Sequence, residues 1–338
     1  MKKPLLAARC ALIAAASLLT ACMSKEYRTA EGVVWSTTYH ITYSGDRSLD
    51  DSIQEVFVMV ERSLSPFADN SLITRINRGD TTVVADSLLS RVFLASQEVS
   101  RLSAGMFDPT VAPLINLWGF GYKDIVKDGL DPDSADIAEA LQKVGIQRCS
   151  LLPDGRIAKA DPEMEFNFSA ITKGYACDLV GDMLRRNGVT DYMVEIGGEV
   201  ALAGKNPSGK TWNIMIEAPV DADTISHNRM AVIAPEGRSV ATSGNYRNFR
   251  DTSSGRHGHT ISPVTGRPVA TSTLSATVLA PTCIMADALA TACMTLPADQ
   301  ALKMIAQIPD TDVLLVVPDT TSTAPWRLIP SPNFPTLQ

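Results

Sequence analysis

"DYMVEIGGEVALAGKNPSGKTWNIMIEAP", residues 191–219, decides the fold class. Short apolar runs rich in Val, Ile and Met follow one another through brief polar turns, and "RMAVIAP" (229–235) continues the series. Strands this close in sequence, with no room for a crossover helix, pair antiparallel. Two more strands read clearly at "LSATVLA" (274–280) and "DVLLVVP" (312–318). Helical periodicity lies mostly earlier. "SIQEVFVMVERSLS" places Ile53, Val56, Phe57, Val60 and Leu64 on one face, and "SLLSRVFLASQEVSRLSAG" does so with Leu88, Leu89, Val92, Phe93, Val99 and Leu102 before Gly105. "SADIAEALQKVG" predicts a third helix with Gly145 at its C-cap, and "GYACDLVGDMLRRNG" a fourth, closed by Asn187-Gly188. Helices early and strands in the middle give an α+β fold, largely antiparallel sheets flanked by helices, rather than a doubly wound sheet.

The ends of the chain set its compartment. Residues 1–21 read as a signal peptide: Lys2 and Lys3, an apolar run from Cys10 to Leu19, then small residues. Leu19-Thr20-Ala21 before Cys22 resembles a bacterial lipobox, in which that cysteine carries lipid. The apolar run is too short to stay as a membrane span. Residues 22–34 then serve as a lipid-anchored spacer and 35–338 as one large domain. The expected location is exported and lipid-anchored on the periplasmic side, at the inner rather than the outer membrane. Cleavage removes Lys2, Lys3 and Arg9 from a chain whose net charge is already −7, so nucleic acid is not an expected partner. Cys149, Cys177, Cys283 and Cys293 form no disulfide framework, and no Cys/His cluster argues for zinc.

Four stretches carry more polar and glycine detail than packing requires. In "FDPTVAPLINLWGFGYK" (107–123), Trp118 and Phe120 alternate with Gly119 and Gly121, suiting either a buried structural loop or a platform for a planar ring. "NFSAITKGYACD" (167–178) leads into a helix beginning near Lys173, a plausible phosphate seat without Walker A spacing. "SGNYRNFRDTSSGRHGHTISPVTGRP" (243–268) gathers Arg247, Arg250, Arg256, His257, His259 and Arg267 around a turn at Pro263–Gly266. Local basicity in an acidic chain suits an anionic ligand, or a solvated hairpin. In "IMADALATACM" (284–294), Asp287 and Thr291 stand at i and i+4 on one helix face. They read as a cap and a back-bonded hydroxyl, or as two oxygen ligands for a hard cation.

Taken in order, these segments resemble the ApbE-type FAD:protein FMN transferases, bacterial flavin transferases that are often lipoproteins. "WSTTYHITY" (35–43) is similar to the family's N-terminal Met-Gly-Thr strand, and "SPFADNSLITRIN" (65–77) to its Ser-x-Tyr segment, with Phe67 at the aromatic position. "FDPTVAPLINLWGFG" is close to its most distinctive run. "VEIGGEVALAGKNPSGKTWNIMIEAP" (194–219), "HTISPVTGRPV" (259–269) and "ADALATACMTLP" (286–297) complete the order. Trp35 and Ser36 stand where that first strand usually has Met and Gly, and Asn167 and Ser262 stand where the family usually has aspartate.

The resemblance implies an ApbE-like flavin transferase fold and Mg²⁺-dependent transfer of FMN from FAD to a Thr or Ser hydroxyl of an acceptor protein, a membrane redox subunit, with AMP released. It implies flavin contacts from Trp35, Phe67, Trp118, Gly119, Phe120, Asn167, Lys173 and Ile261. It implies a magnesium ion held by the Ala170 carbonyl, Asp287 and Thr291. Lys173 would neutralise phosphate charge, and His259 would accept the proton of the attacking hydroxyl or orient it. Two other outcomes use the same residues: an FAD pyrophosphatase releasing FMN and AMP, and a non-catalytic flavin-binding lipoprotein.

Overall fold

The computed structural model describes residues 25–123, 129–219, 229–245, 249–319 and 325–338. The expected signal peptide, Cys22 and Arg247 lie outside the described residues. Eight strands form one sheet: β1 (Tyr27–Val34), β2 (Thr37–Ser44), β3 (Tyr192–Ile196), β4 (Glu199–Ala203), β5 (Ser239–Gly244), β6 (Ser275–Ala280), β7 (Asp312–Pro318) and β8 (Trp326–Pro330). Their spatial order is their chain order, and every neighbouring pair is antiparallel. Two-residue turns at Trp35-Ser36 and Gly197-Gly198 join β1 to β2 and β3 to β4. All four residues have positive φ, the backbone that lets a tight hairpin follow the sheet's twist.

Sequence pattern decides which strands are covered. β2 alternates, with Tyr39, Ile41 and Tyr43 buried and His40 exposed, and so has one packed face. β6 is buried at every residue, as a continuous apolar run requires. The face carrying Ile41, Val194, Ala241 and Val278 joins the large apolar core, to which α1 (Asp50–Leu64), α2 (Leu72–Asn77), α3 (Ser87–Leu102), α6 (Ser169–Arg186), α7 (Cys283–Thr295) and α8 (Ala298–Ile305) contribute, with α4 (Ala112–Leu117) and α5 (Ser134–Leu141) between α3 and α6 in the chain. Val200, Leu202, Val240 and Leu279 point the other way, onto Trp212, Ile216 and Ile233. The last of these belong to a two-stranded ribbon, Ile214–Glu217 with Arg229–Ile233.

Several boundaries differ from expectation. Residues 27–34, expected in the spacer, form β1 and pair along their length with β2, so the domain begins before Trp35. α6 starts at Ser169, four residues before Lys173, because the Asn167 side chain accepts the Ser169 N–H (2.9 Å) and the Phe168 carbonyl accepts those of Ile171 and Thr172. The first N–H groups of the helix are therefore largely satisfied within the chain, which weakens the phosphate-seat reading. α5 ends at Leu141, and Gly145 is not its cap; Gly145 instead donates its N–H to Thr110 Oγ1 at 2.7 Å. The run 112–117 is helical, and only the glycine-rich residues after Trp118 leave the helix.

Candidate active site

α6 and α7 meet at Gly174. A Cβ there would lie 2.2 Å from the Cys283 carbonyl and 2.6 Å from Asp287 Cβ, so only glycine permits this approach. It lets Asp287 Oδ2 accept the Gly174 N–H at 2.8 Å. In a regular helix that N–H belongs to the Ala170 carbonyl, so the Asp287 carboxylate and the Ala170 oxygen address the same donor. Thr291, one turn on, lies 3.2 Å from Ser243 Oγ on β5. Asp287 is therefore not the cap of its own helix; the N-cap position is Thr282.

Lys173 pairs with Glu199 at 2.6 Å. Glu199 opens β4 directly after the Gly197-Gly198 turn, and a Cβ at Gly197 would lie 3.0 Å from Thr37 and 3.3 Å from Lys173 Cδ. The Trp35-Ser36 turn, the glycine turn, Lys173 and Glu199 thus share one end of the sheet. Glu199 is buried, while the Lys173 side chain keeps 32% of its surface open. Burial pushes the Glu199 carboxyl up to about 8, against the pull of the Lys173 ammonium. Burial lowers Lys173, but the charges of Glu199 and Asp287 outweigh it and hold the lysine above its ordinary value. Asp287 is raised by burial, opposed by Lys173 and by the Gly174 N–H. Burial thus favours the protonated forms of both carboxylates, and a further positive charge beside them would favour their ionised forms.

The remaining expected residues fall into aromatic groups. Phe120 and His259 sit edge to face, ring centres 6.4 Å apart, beside the exposed Gly119 at φ +78°. Phe67 is 68% exposed and meets the Tyr122 edge at 6.1 Å. Trp35 packs on Phe57 at 5.5 Å. Trp118 departs from a stacking platform. Its ring is buried in one cluster with Leu114, Ile137 and Ile261, and its Nε1 donates to the Gly266 carbonyl at 2.8 Å. It supports the 262–266 turn from below.

The basic segment is also largely engaged with the protein itself. Arg250 donates to the Trp118 carbonyl, Arg256 lies over Phe249 and pairs with Asp251, and Arg267 reaches Ser134. Ser262 Oγ accepts the Val264 and Thr265 N–H groups, so it holds the turn without a carboxylate. A cavity of about 680 Å³ lies beside this turn, lined by Gln97, Arg101, Gly145, Pro263 and Val264 among others, and none of the expected flavin or metal contacts line it.

Sequence reading missed Glu199 and Gly174. A charged residue opening a buried strand was the available signal for the first. For Gly174, a glycine inside a helix, where it costs about 1 kcal/mol against alanine, was the signal.

The family model described as ApbE family matches residues 35–315. The FAD:protein FMN transferase of Vibrio cholerae is 32% identical over 296 residues, 85% of this chain and 86% of that protein. That of Haemophilus influenzae is 32% identical over 306 residues, 86% of this chain and 87% of its own. Among solved structures, the Vibrio cholerae flavin transferase ApbE superposes with a TM-score of 0.80 at 29% identity, covering 92% of this chain and 98% of that one. The apo Pseudomonas stutzeri flavinyl transferase ApbE gives 0.78 at 28% identity, covering 91% and 95%.

Proposed function

The chain belongs to the ApbE family, and from that premise we propose that it is an FAD:protein FMN transferase. An acceptor Thr or Ser hydroxyl attacks the FMN-side phosphorus of FAD. The new P–O bond forms as the bond to the AMP phosphate breaks, and AMP leaves with the electron pair. The observation that carries this reading is the cluster at the α6–α7 contact. There a partly open lysine, a buried carboxylate and a hydroxyl gather at one end of the sheet.

His259, edge to face with Phe120, is the group we assign to take or orient the hydroxyl proton. Phe120, Phe67 and Trp35 supply the aromatic surface for the flavin ring, with Gly119 allowing close backbone approach; Trp118 and Ile261 form the wall behind it. Lys173 faces the pyrophosphate, and Asn167 orients the start of α6 beneath it.

Asp287, Thr291 and the Ala170 carbonyl fit Mg²⁺. The donors are all oxygen and only one is charged, and the Asp287–Gly174 bond brings the carboxylate to the Ala170 turn. Among the described residues, no three His, Cys, Asp or Glu side chains cluster in a way that would favour a softer metal. Bound there, such an ion would supply positive charge to the phosphate oxygens.

We also assign lipid to Cys22 and a periplasmic, inner-membrane address, with a membrane redox subunit as acceptor. The support is the lipobox-like "LTAC" (19–22) after a short apolar run. Incubation with FAD, Mg²⁺ and a candidate acceptor tests the reaction. Flavinylated acceptor and AMP are the expected products; free FMN and AMP mean a pyrophosphatase, and unchanged FAD means a carrier.

A further inference from the structure

We infer that Asp178 is a positioning residue for the metal-binding helix α7. It resides on α6, yet its two carboxylate oxygens accept the N–H groups of Cys283 (2.9 Å) and Ile284 (2.8 Å), the first two residues of α7. Thr282, at the N-cap position, offers no side-chain bond, and the first turn of α7 has no acidic residue of its own. The charge that a helix start favours therefore comes from the neighbouring helix. Asp287 returns the arrangement in the opposite sense, accepting the Gly174 N–H of α6. Each helix thus holds the other's backbone through a carboxylate, and the two clasps flank the Cys283–Gly174 contact. The spacing between the Ala170 carbonyl and the Asp287–Thr291 pair depends on both. Removing the Asp178 clasp frees α7 to slide or rotate and loosens the oxygen set without deleting a ligand.

The carboxylate also lines a cavity of about 360 Å³, which gives it access to protons. Burial raises it to about 6, against the pull of its two N–H partners. The titratable groups facing it are Tyr175, Cys177, Asp182 and Arg185 of α6, Cys283 of α7, Tyr192 of β3 and Arg91 of α3.

The inference rests on the reading of Ala170, Asp287 and Thr291 as metal ligands, and the test separates the two. Mn²⁺ titrations of the full chain, followed by electron paramagnetic resonance without FAD or acceptor, compare wild type with Asp178→Asn and Asp178→Ala. Asp178→Asn keeps an acceptor oxygen and guards against misfolding, which thermal unfolding checks. Expected is a three- to tenfold loss of affinity for Asn at pH 7.5 and a larger loss for Ala, with kcat at saturating Mg²⁺ within twofold of wild type. The wild-type advantage over Asn shrinks toward one below pH 6, because protonation removes the charge that the amide lacks. Wild-type affinity in Asp178→Asn, or an advantage independent of pH, overturns the inference. Absence of Mn²⁺ binding by the wild type overturns the metal reading beneath it.

Discussion

The Gly174 amide donates to the Asp287 carboxylate at 2.8 Å across two helices that touch backbone to backbone. Because a Cβ at residue 174 would fall 2.2 Å from a carbonyl oxygen, Gly174→Ala must push α6 and α7 apart. Overpacking of this kind costs about 1–3 kcal/mol. Urea unfolding checks the stability loss. A turnover loss larger than the fraction unfolded ties the contact to the site.

Asp287→Ala is expected to leave the fold largely intact, since Lys173 keeps Glu199 as its partner. Mg²⁺-dependent turnover is expected to vanish. Thr291→Val removes a neutral oxygen and its Ser243 contact, and a milder rise in the Mg²⁺ requirement should follow. If Asp287→Ala turns over FAD normally at low Mg²⁺, the carboxylate serves only the Gly174 N–H.

Asp178 also leaves a mark on stability. Its folded value, about 6, stands above the ordinary 3.8, so the folded state binds its proton more tightly than the unfolded chain does. Its contribution is present at low pH and declines as pH rises through the window from about 4 to about 6. Asp178→Asn lacks this titration. Urea unfolding at intervals from pH 4 to 7 should therefore show the variant gaining on wild type with rising pH, by at most about 3 kcal/mol. A constant difference across that range rules the titration out.

Asn167 accepts the Ser169 N–H, a role aspartate performs equally well at a helix start. Asn167→Asp is thus expected to fold normally and to raise turnover modestly. A charged hydrogen bond contributes about 1.5–3 kcal/mol against about 1 for a neutral one, which bounds the gain at roughly thirtyfold. Steady-state rates at saturating FAD decide it. Tight FAD binding with no AMP released from either form, with Mg²⁺ and acceptor present, supports a carrier instead.

Cys22→Ser is expected to move the protein from the detergent phase to the aqueous phase in phase partitioning. Both forms remaining aqueous counts against lipidation.

What was legible in the sequence was local. The periodicity around Ile53 and Leu89 returned as α1 and α3, and the run "SATVLA" as a strand buried on both faces. The pairing of Asp287 with Thr291 on one face followed from their spacing alone. Depth and long-range partners were not legible. Trp118 at the head of a glycine-aromatic run reads as a platform, but its indole N–H is claimed by Gly266, 148 residues away. Nothing local marks Asp178, and only the approach of α7, 105 residues on, makes it the acceptor for that helix's first N–H groups. α6 begins before Lys173 because Asn167, expected at the flavin, accepts the Ser169 N–H instead.

Because the sheet's spatial order repeats its chain order, it grows by accretion at a single border. Each new strand meets the one laid down before it, and no strand has to be threaded between two already paired. A chain emerging from its N-terminus can therefore assemble the sheet as it appears, with one long wait between Ser44 and Tyr192 while the helical segment is completed. The oxygens at the α6–α7 junction come together only after α7 has followed β6, so that junction is completed late, when nearly all of the chain is present.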